Sequence, residues 1–322
     1  MVQQAEILAI GGRCAASLAI TFARARPNHS VMVVIRNAAL RRRITQGLLC
    51  ADDTPVALPE NLIIADPALL HCPKQIFIPA IPMVHLYQFL RDFSRHLQGF
   101  TGIIVSPNKG FSCHKDTPLL PTQTIIDGLQ TCQFDHNDIV TLSGGNLAHD
   151  LWRDASMRIG LYGPKAKIVA QYFDEQTCTQ TVTPEQTDAI IVEWLSAAKN
   201  AYALCCGIAL AKGGVSYAAG IATQAEAEIT RLLTHHYVSQ SWDGTWPPSV
   251  RDDWNLSVIA GHTRNFQAGL GMAANKAVPH TTLEGVVAAK TFLELFAAYN
   301  IPHPILAMSR TIDMPRIVES AS

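Results

Sequence analysis

From Trp194 to Ala211 the chain reads WLSAAKNAYALCCGIALA, apolar almost all the way round. A helix without a polar face is stable only when protein covers every side of it. This segment therefore demands a body of other elements large enough to surround it. Lys199 is its only charge. A buried ammonium is costly unless paired, and its pKa then becomes tunable. Lys199 is thus the first candidate for a catalytic group. The segment approaches the length of a membrane span, but the central Lys199 and Asn200 favour a buried core helix, and no integral membrane segment is expected.

The chain has 322 residues, of which 48% are hydrophobic and 16% charged, enough for two domains with sizeable cores. Lys and Arg total 25 against 26 Asp and Glu. That balance argues against a large basic face and against nucleic acid as a partner, though not against a local basic pocket. The 8 cysteines contain no CxxC pair, and only Cys205 and Cys206 stand close. Neither a zinc site nor a small disulfide framework fits that spacing. Reduced, mostly buried thiols in a cytoplasmic protein are expected, with no bound metal. His235-His236 reads as ordinary surface or core histidine. The opening MVQQAEILAIGG lacks the basic and long apolar regions of a signal peptide.

Along the first half, β-rich runs alternate with helical stretches. Strands are expected at 7–10, 31–35, 62–65, 75–80, 102–105 and 139–142, and helices at 13–25, 83–96 and 122–129. Near-continuous apolar strands separated by helices predict a parallel sheet covered on both faces. Two further β-like runs, 157–161 and 167–173, close the domain. After Thr181 the pattern changes. Pro184 suits the first turn of a long helix, and the sequence stays Ala-rich and helical to Asn300. The fold class is an α/β Rossmann-type doubly wound domain over 1–182 and an all-α domain over 183–322. The stretch 236–253 reads as an ordered loop.

Ile7 to Ala16 gives a strand, a glycine turn and a helix, where a dinucleotide fold sets its pyrophosphate on a helix N-terminus. The three fingerprint positions hold Ile10, Gly12 and Ala15, so the first glycine is missing. The second strand ends in Arg36 rather than an acid, and Arg41, Arg42 and Arg43 follow. An acid there binds a ribose 2′-hydroxyl, whereas an arginine faces a 2′-phosphate, so the cofactor reading is NADP or NAD with NADP slightly favoured.

Two strand ends carry ligand-type loops: Ser106 to Gly110, with Lys109 just past the strand, and Ser143 to Ala148, where Gly144 and Gly145 let backbone approach a ligand. Downstream stand Ser196 to Asn200 around Lys199, Asp253 ahead of Thr263-Arg264-Asn265, and Thr282-Leu283-Glu284-Gly285.

In this order the segments resemble the NAD(P)-dependent glycerol-3-phosphate dehydrogenases. The family patterns are S-x-x-K-G, S-G-P-x-F-A, G-A-x-K-N, an aspartate before S-R-N, and V-x-E-G. The resemblance implies a Rossmann-type domain, a helical domain and an active site between them. It also implies reversible reduction of dihydroxyacetone phosphate to sn-glycerol 3-phosphate by NAD(P)H. Lys199 would donate the proton, Asp253 would hold and charge it, and Lys109 would add positive charge near substrate and cofactor. Gly144, Asn146, Thr263, Arg264 and Asn265, with Lys109, would bind a small phosphorylated substrate. Gly11, Gly12, Arg13, Cys14, Arg36, Ala148 and Glu284, with Lys109 and Arg264, would bind cofactor. Homodimerisation is left open.

The departures are Ile10, Arg13 and Cys14 in the cofactor turn, Gly145 for proline, and a changed stretch from Thr223 to Glu228. They describe a divergent member. Two alternatives stand beside the leading reading: a related dehydrogenase on another small anionic hydroxy or keto substrate, and a non-catalytic nucleotide-binding relative.

Overall fold

The computed structural model describes residues 5–50, 53–69, 72–114, 117–145, 147–175, 178–236, 242–259, 261, 263–274, 276 and 283–311. The chain forms two compact units, residues 1–108 with 121–190, and residues 109–120 with 191–322. A division at 182/183 is what the composition change suggests; the compact first unit runs on into the start of the long helix.

The first unit opens with β1 (Ile7–Gly11), α1 (Arg13–Ala25), β2 (Val31–Val34), α2 (Ala38–Thr45), β3 (Leu62–Ala65), β4 (Ile76–Ala80), α3 (Met83–Phe93) and β5 (Ile103–Ser106). A hairpin of β6 (Ser112–His114) and β7 (Thr117–Leu119) then departs to the second unit. The first unit resumes with α4 (Pro121–Gly128), β8 (Ile139–Gly144), α5 (Leu147–Trp152), β9 (Met157–Tyr162), α6 (Ala166–Ala170) and β10 (Cys178–Thr183). The sheet order is β10-β9-β8-β5-β4-β1-β2-β3. Strands alternate their side chains between the two faces. Ile7 and Ala9 join a core with Leu18, Phe22 and Trp152, while Leu8 and Ile10 join another with Leu86, Leu90 and Phe93. Burial on both faces is why these strands read as unbroken apolar runs.

Several expectations need correction. The sheet is mixed: β9 runs antiparallel to β8, with Thr141 opposite Tyr162 and Gly144 opposite Ile159. Apolar content reports burial, not strand direction. The run 167–173 is not a strand, because α6 covers Ala166–Ala170. Its buried residues Ala166, Val169, Tyr172 and Phe173 recur with helical spacing. The strand that does close the edge, β10, carries Thr179, Gln180 and Thr181 and is only partly covered, so apolar patterning passes over it.

The second unit holds most of α7 (Gln186–His236), which bends at Gly214, then α8 (Pro248–Val258), α9 (Arg264–Ala273) and α10 (Leu283–Ala298). α7 is long and apolar enough to cross a membrane by composition, but from Ile191 to Ala209 nearly every residue is buried by protein. The stretch expected as a loop up to Asp253 is helical from Pro248 onward. Proline at a first helical position starts α8, since the N–H it lacks has no partner there anyway.

Candidate active site

In the first unit, β1 and β4 are neighbours although α1, β2 and β3 lie between them in the chain. This is the switch point of a doubly wound sheet, where the carboxyl ends of the strands leave a crevice. A cleft of about 420 Å³ lies there, lined by Gly11, Gly12, Arg36, Asn37, His85 and Phe89 among others. Gly11 has φ 152°, and a Cβ on it would stand 2.1 Å from the Ala80 carbonyl oxygen. Only glycine allows that contact. Gly12 is the N-cap of α1 and brings no side chain over the helix start. Ile10 pairs with Val34 and Pro79 as a buried strand residue. The turn is thus made one position later than the missing fingerprint glycine.

Arg36 is exposed beside this cleft. Arg41 is engaged by Asp66 at 2.7 Å and by the Ile35 carbonyl at 2.7 Å. Arg13 is exposed and Cys14 half-buried in the first turn of α1. The Ala148 carbonyl, near the start of α5, accepts a hydrogen bond from the Ser17 hydroxyl of α1. Gly144 is buried at the end of β8, and Asn146 lies outside the described residues.

The second unit holds a charged cluster. Lys199 Nζ donates to Asp253 Oδ1 at 2.6 Å, and Lys109 Nζ donates to Asp253 Oδ2 at 2.7 Å. Lys199 is 8% exposed and Asp253 4%. Burial lowers the Lys199 pKa to about 8; Asp253 opposes this, Lys109 reinforces it, and Glu284 on α10 opposes it. Burial works against the charged form of Asp253, but the two lysines prevail and hold its carboxyl below the usual range. One carboxylate between two ammonium groups leaves the cluster positive, with a lysine able to give or take a proton near neutral pH.

Thr263 is the N-cap of α9. Its hydroxyl accepts from Phe266 N at 3.4 Å and donates to the Ser257 carbonyl at 3.1 Å, on the helix that carries Asp253. Arg264 is exposed in the first turn. Asn265 Nδ2 donates to Asn200 Oδ1 at 3.0 Å, next in sequence to Lys199. Thr282 lies outside the described residues. The structure therefore brings Lys109, Lys199 and Asp253 together, with Glu284 in electrostatic reach.

Two features had no clear signal in the sequence. Glu228 is 2% exposed and accepts from the Tyr202 hydroxyl at 2.8 Å and from the Ile305 and Leu306 amides at 2.9 Å each. A glutamate retained in an otherwise altered stretch was the only hint. Asn108 bridges strand ends, its Oδ1 accepting from the Ser106 hydroxyl at 3.3 Å and its amide donating to the Ile81 carbonyl. Cys205 and Cys206 are buried thiols with pKa values pushed up by burial, which makes them poor nucleophiles.

A family model described as NAD-dependent glycerol-3-phosphate dehydrogenase C-terminus matches residues 188–313. The glycerol-3-phosphate dehydrogenase (NAD(P)+) of Rhizobium etli is 26% identical over 317 residues, covering 96% of this chain and 89% of that protein. The enzyme of the same name from Phytoplasma australiense is 24% identical over 297 residues, covering 90% of this chain and 84% of that one. The solved glycerol-3-phosphate dehydrogenase of Plasmodium falciparum shares the fold, with a TM-score of 0.77 at 18% identity over 97% of this chain and 93% of that one. Residues 188–313 thus carry the signature of the C-terminal part of NAD-dependent glycerol-3-phosphate dehydrogenases, and along nearly its whole length the chain is similar to glycerol-3-phosphate dehydrogenases (NAD(P)+).

Proposed function

We propose that the chain is an oxidoreductase that interconverts dihydroxyacetone phosphate and sn-glycerol 3-phosphate with a nicotinamide cofactor. The observation that carries this reading is the buried Lys109–Asp253–Lys199 cluster. The first unit is assigned to cofactor and the second to substrate and proton transfer.

The switch-point cleft suits a dinucleotide: Gly11 turns the chain tightly and Gly12 leaves the N-terminus of α1 uncovered for a pyrophosphate. Arg36 would face the adenosine ribose and favour a 2′-phosphate, hence NADP. When bound, the reduced nicotinamide supplies a hydride to the substrate carbonyl carbon. Lys199 polarises the carbonyl oxygen and donates a proton to it as negative charge develops. Asp253 holds the Lys199 ammonium in place, and Lys109 keeps the cluster positive. In the reverse direction neutral Lys199 takes the hydroxyl proton. Thr263, Arg264 and the start of α9 would receive the phosphate, with the Arg264 guanidinium offering a fork of donors. Asn265 and Asn200 would brace that end of the site.

The test is oxidation of NADPH and NADH, followed by nicotinamide absorbance, with dihydroxyacetone phosphate. Turnover dependent on that ketone supports the reading and ranks the cofactors. Nucleotide binding without turnover would move the activity to another small anionic substrate. Loss of both would mean that Ile10 and the altered turn had ended the dehydrogenase function.

A further inference from the structure

Lys109 follows β5, a strand of the first unit, yet it packs with the second. The residues after it account for this. Gly110 has φ 103°, in the region that only glycine enters without strain. Phe111 then turns inward and is 3% exposed. Its ring meets Trp194 edge-on at 5.4 Å and Phe292 at 5.6 Å, and those two rings stand 5.7 Å apart. Trp194 belongs to α7, the helix that carries Lys199, and Phe292 to α10, the helix that carries Glu284. Beyond Phe111, the β6–β7 pairing of Ser112 with Leu119 closes the excursion into a hairpin.

We propose that Phe111 is a positioning residue: wedged between Trp194 and Phe292 and released by the Gly110 turn, it fixes Lys109 against Asp253. A lysine side chain loses considerable rotamer freedom when its ammonium is held, and Lys109 keeps 18% side-chain exposure, so water competes for its ammonium. An anchor two residues away restricts where the Lys109 backbone can go and so lowers the cost of the ion pair. The aromatic triangle ties the hairpin to both helices that act on the cluster. This role builds on the proposed function only where turnover is the readout.

The test compares Phe111→Ala, Phe111→Leu, Lys109→Met and the double variant Phe111→Ala/Lys109→Met. Lys199 is titrated by carbon NMR of labelled lysine, and kcat/KM is profiled against pH. The charged groups acting on Lys199 are Asp253 from α8, Lys109 and Glu284 from α10. Loss of Lys109 removes a positive neighbour and leaves Asp253 to Lys199 alone, so the Lys199 midpoint should rise, by about one pH unit. Phe111→Ala should raise it in the same direction, and the double variant should match Lys109→Met. Phe111→Leu, which keeps an apolar wedge, should give a smaller rise and serves if the alanine variant does not fold. A Phe111 variant with lower Tm and an unmoved Lys199 midpoint would overturn the proposal, as would a full additive shift in the double variant. If the midpoints behave as expected while the wild type turns over no phosphorylated ketone, the functional reading fails and the positioning role stands.

Discussion

Lys199 Nζ donates to Asp253 Oδ1 at 2.6 Å, and both groups are nearly sealed from water. The pair is electrostatically incomplete by itself, because Lys109 occupies the other carboxylate oxygen at 2.7 Å. Replacing Lys199 with Met keeps the length and apolar stem but removes the proton. Lys199→Met should lower kcat by about a thousandfold or more, the combined scale of acid catalysis and charge stabilisation. Nicotinamide binding, followed by fluorescence, should hardly change. A kcat within tenfold of wild type would remove Lys199 from the chemistry.

Asp253→Asn leaves two ammonium groups without their carboxylate. Breaking a buried pair on one side costs about 3–5 kcal/mol, read from denaturant unfolding. Without Asp253, which raises the Lys199 pKa, the Lys199 midpoint should also fall below its value of about 8. An unchanged unfolding midpoint would mean that the cluster is solvated.

The direction of reaction should respond to pH in opposite senses. In the proposed mechanism ketone reduction draws on protonated Lys199 and should decline as pH rises through about 8; alcohol oxidation draws on neutral Lys199 and should grow over the same range. Asp253, held below the usual carboxylate range, stays charged throughout. Stability follows the linkage sign. The folded Lys199 value lies below the unfolded 10.5, so its contribution is full above 10.5 and is lost as pH falls through about 8. Wild type compared with Lys199→Met should therefore gain stability between those limits. Parallel curves across that window would contradict the assignment.

Arg36→Ala tests the cofactor cleft. A charge-assisted hydrogen bond contributes about 1.5–3 kcal/mol, so the Kd for NADPH should rise by roughly 10- to 150-fold while that for NADH holds. An unmoved NADPH/NADH ratio would place any 2′-phosphate elsewhere.

Glu228 is a structural counterpart to Asp253. Glu228→Ala strands the Tyr202 hydroxyl and the Ile305 and Leu306 amides in the interior. The expected loss is about 3 kcal/mol or more in unfolding free energy, against about 1 kcal/mol for Tyr202→Phe, which removes only one donor. Equal losses for the two variants would show that the amide contacts contribute little.

Much of the fold is local information. Ile7–Gly11, Val31–Val34 and Leu62–Ala65 are strands because short apolar runs stand between turns, and α1 is a helix because its buried residues repeat with helical spacing. The burial of Lys199 was legible too, since a helix apolar on every face has nowhere else to go. The antiparallel course of β9 was not, because burial pattern is blind to direction, and polar β10 lacked the signal altogether. The meeting of Lys109, Lys199 and Asp253 depends on contacts 144 and 54 residues apart in the chain. The sequence alone determined which segments must be buried and marked out candidate residues for chemistry, because propensity and hydrophobic period act over a few residues. Only the tertiary structure decided that two lysines share one carboxylate, that Phe111 ties Lys109 to their side, and that Glu228 serves packing, because long-range packing sets those distances.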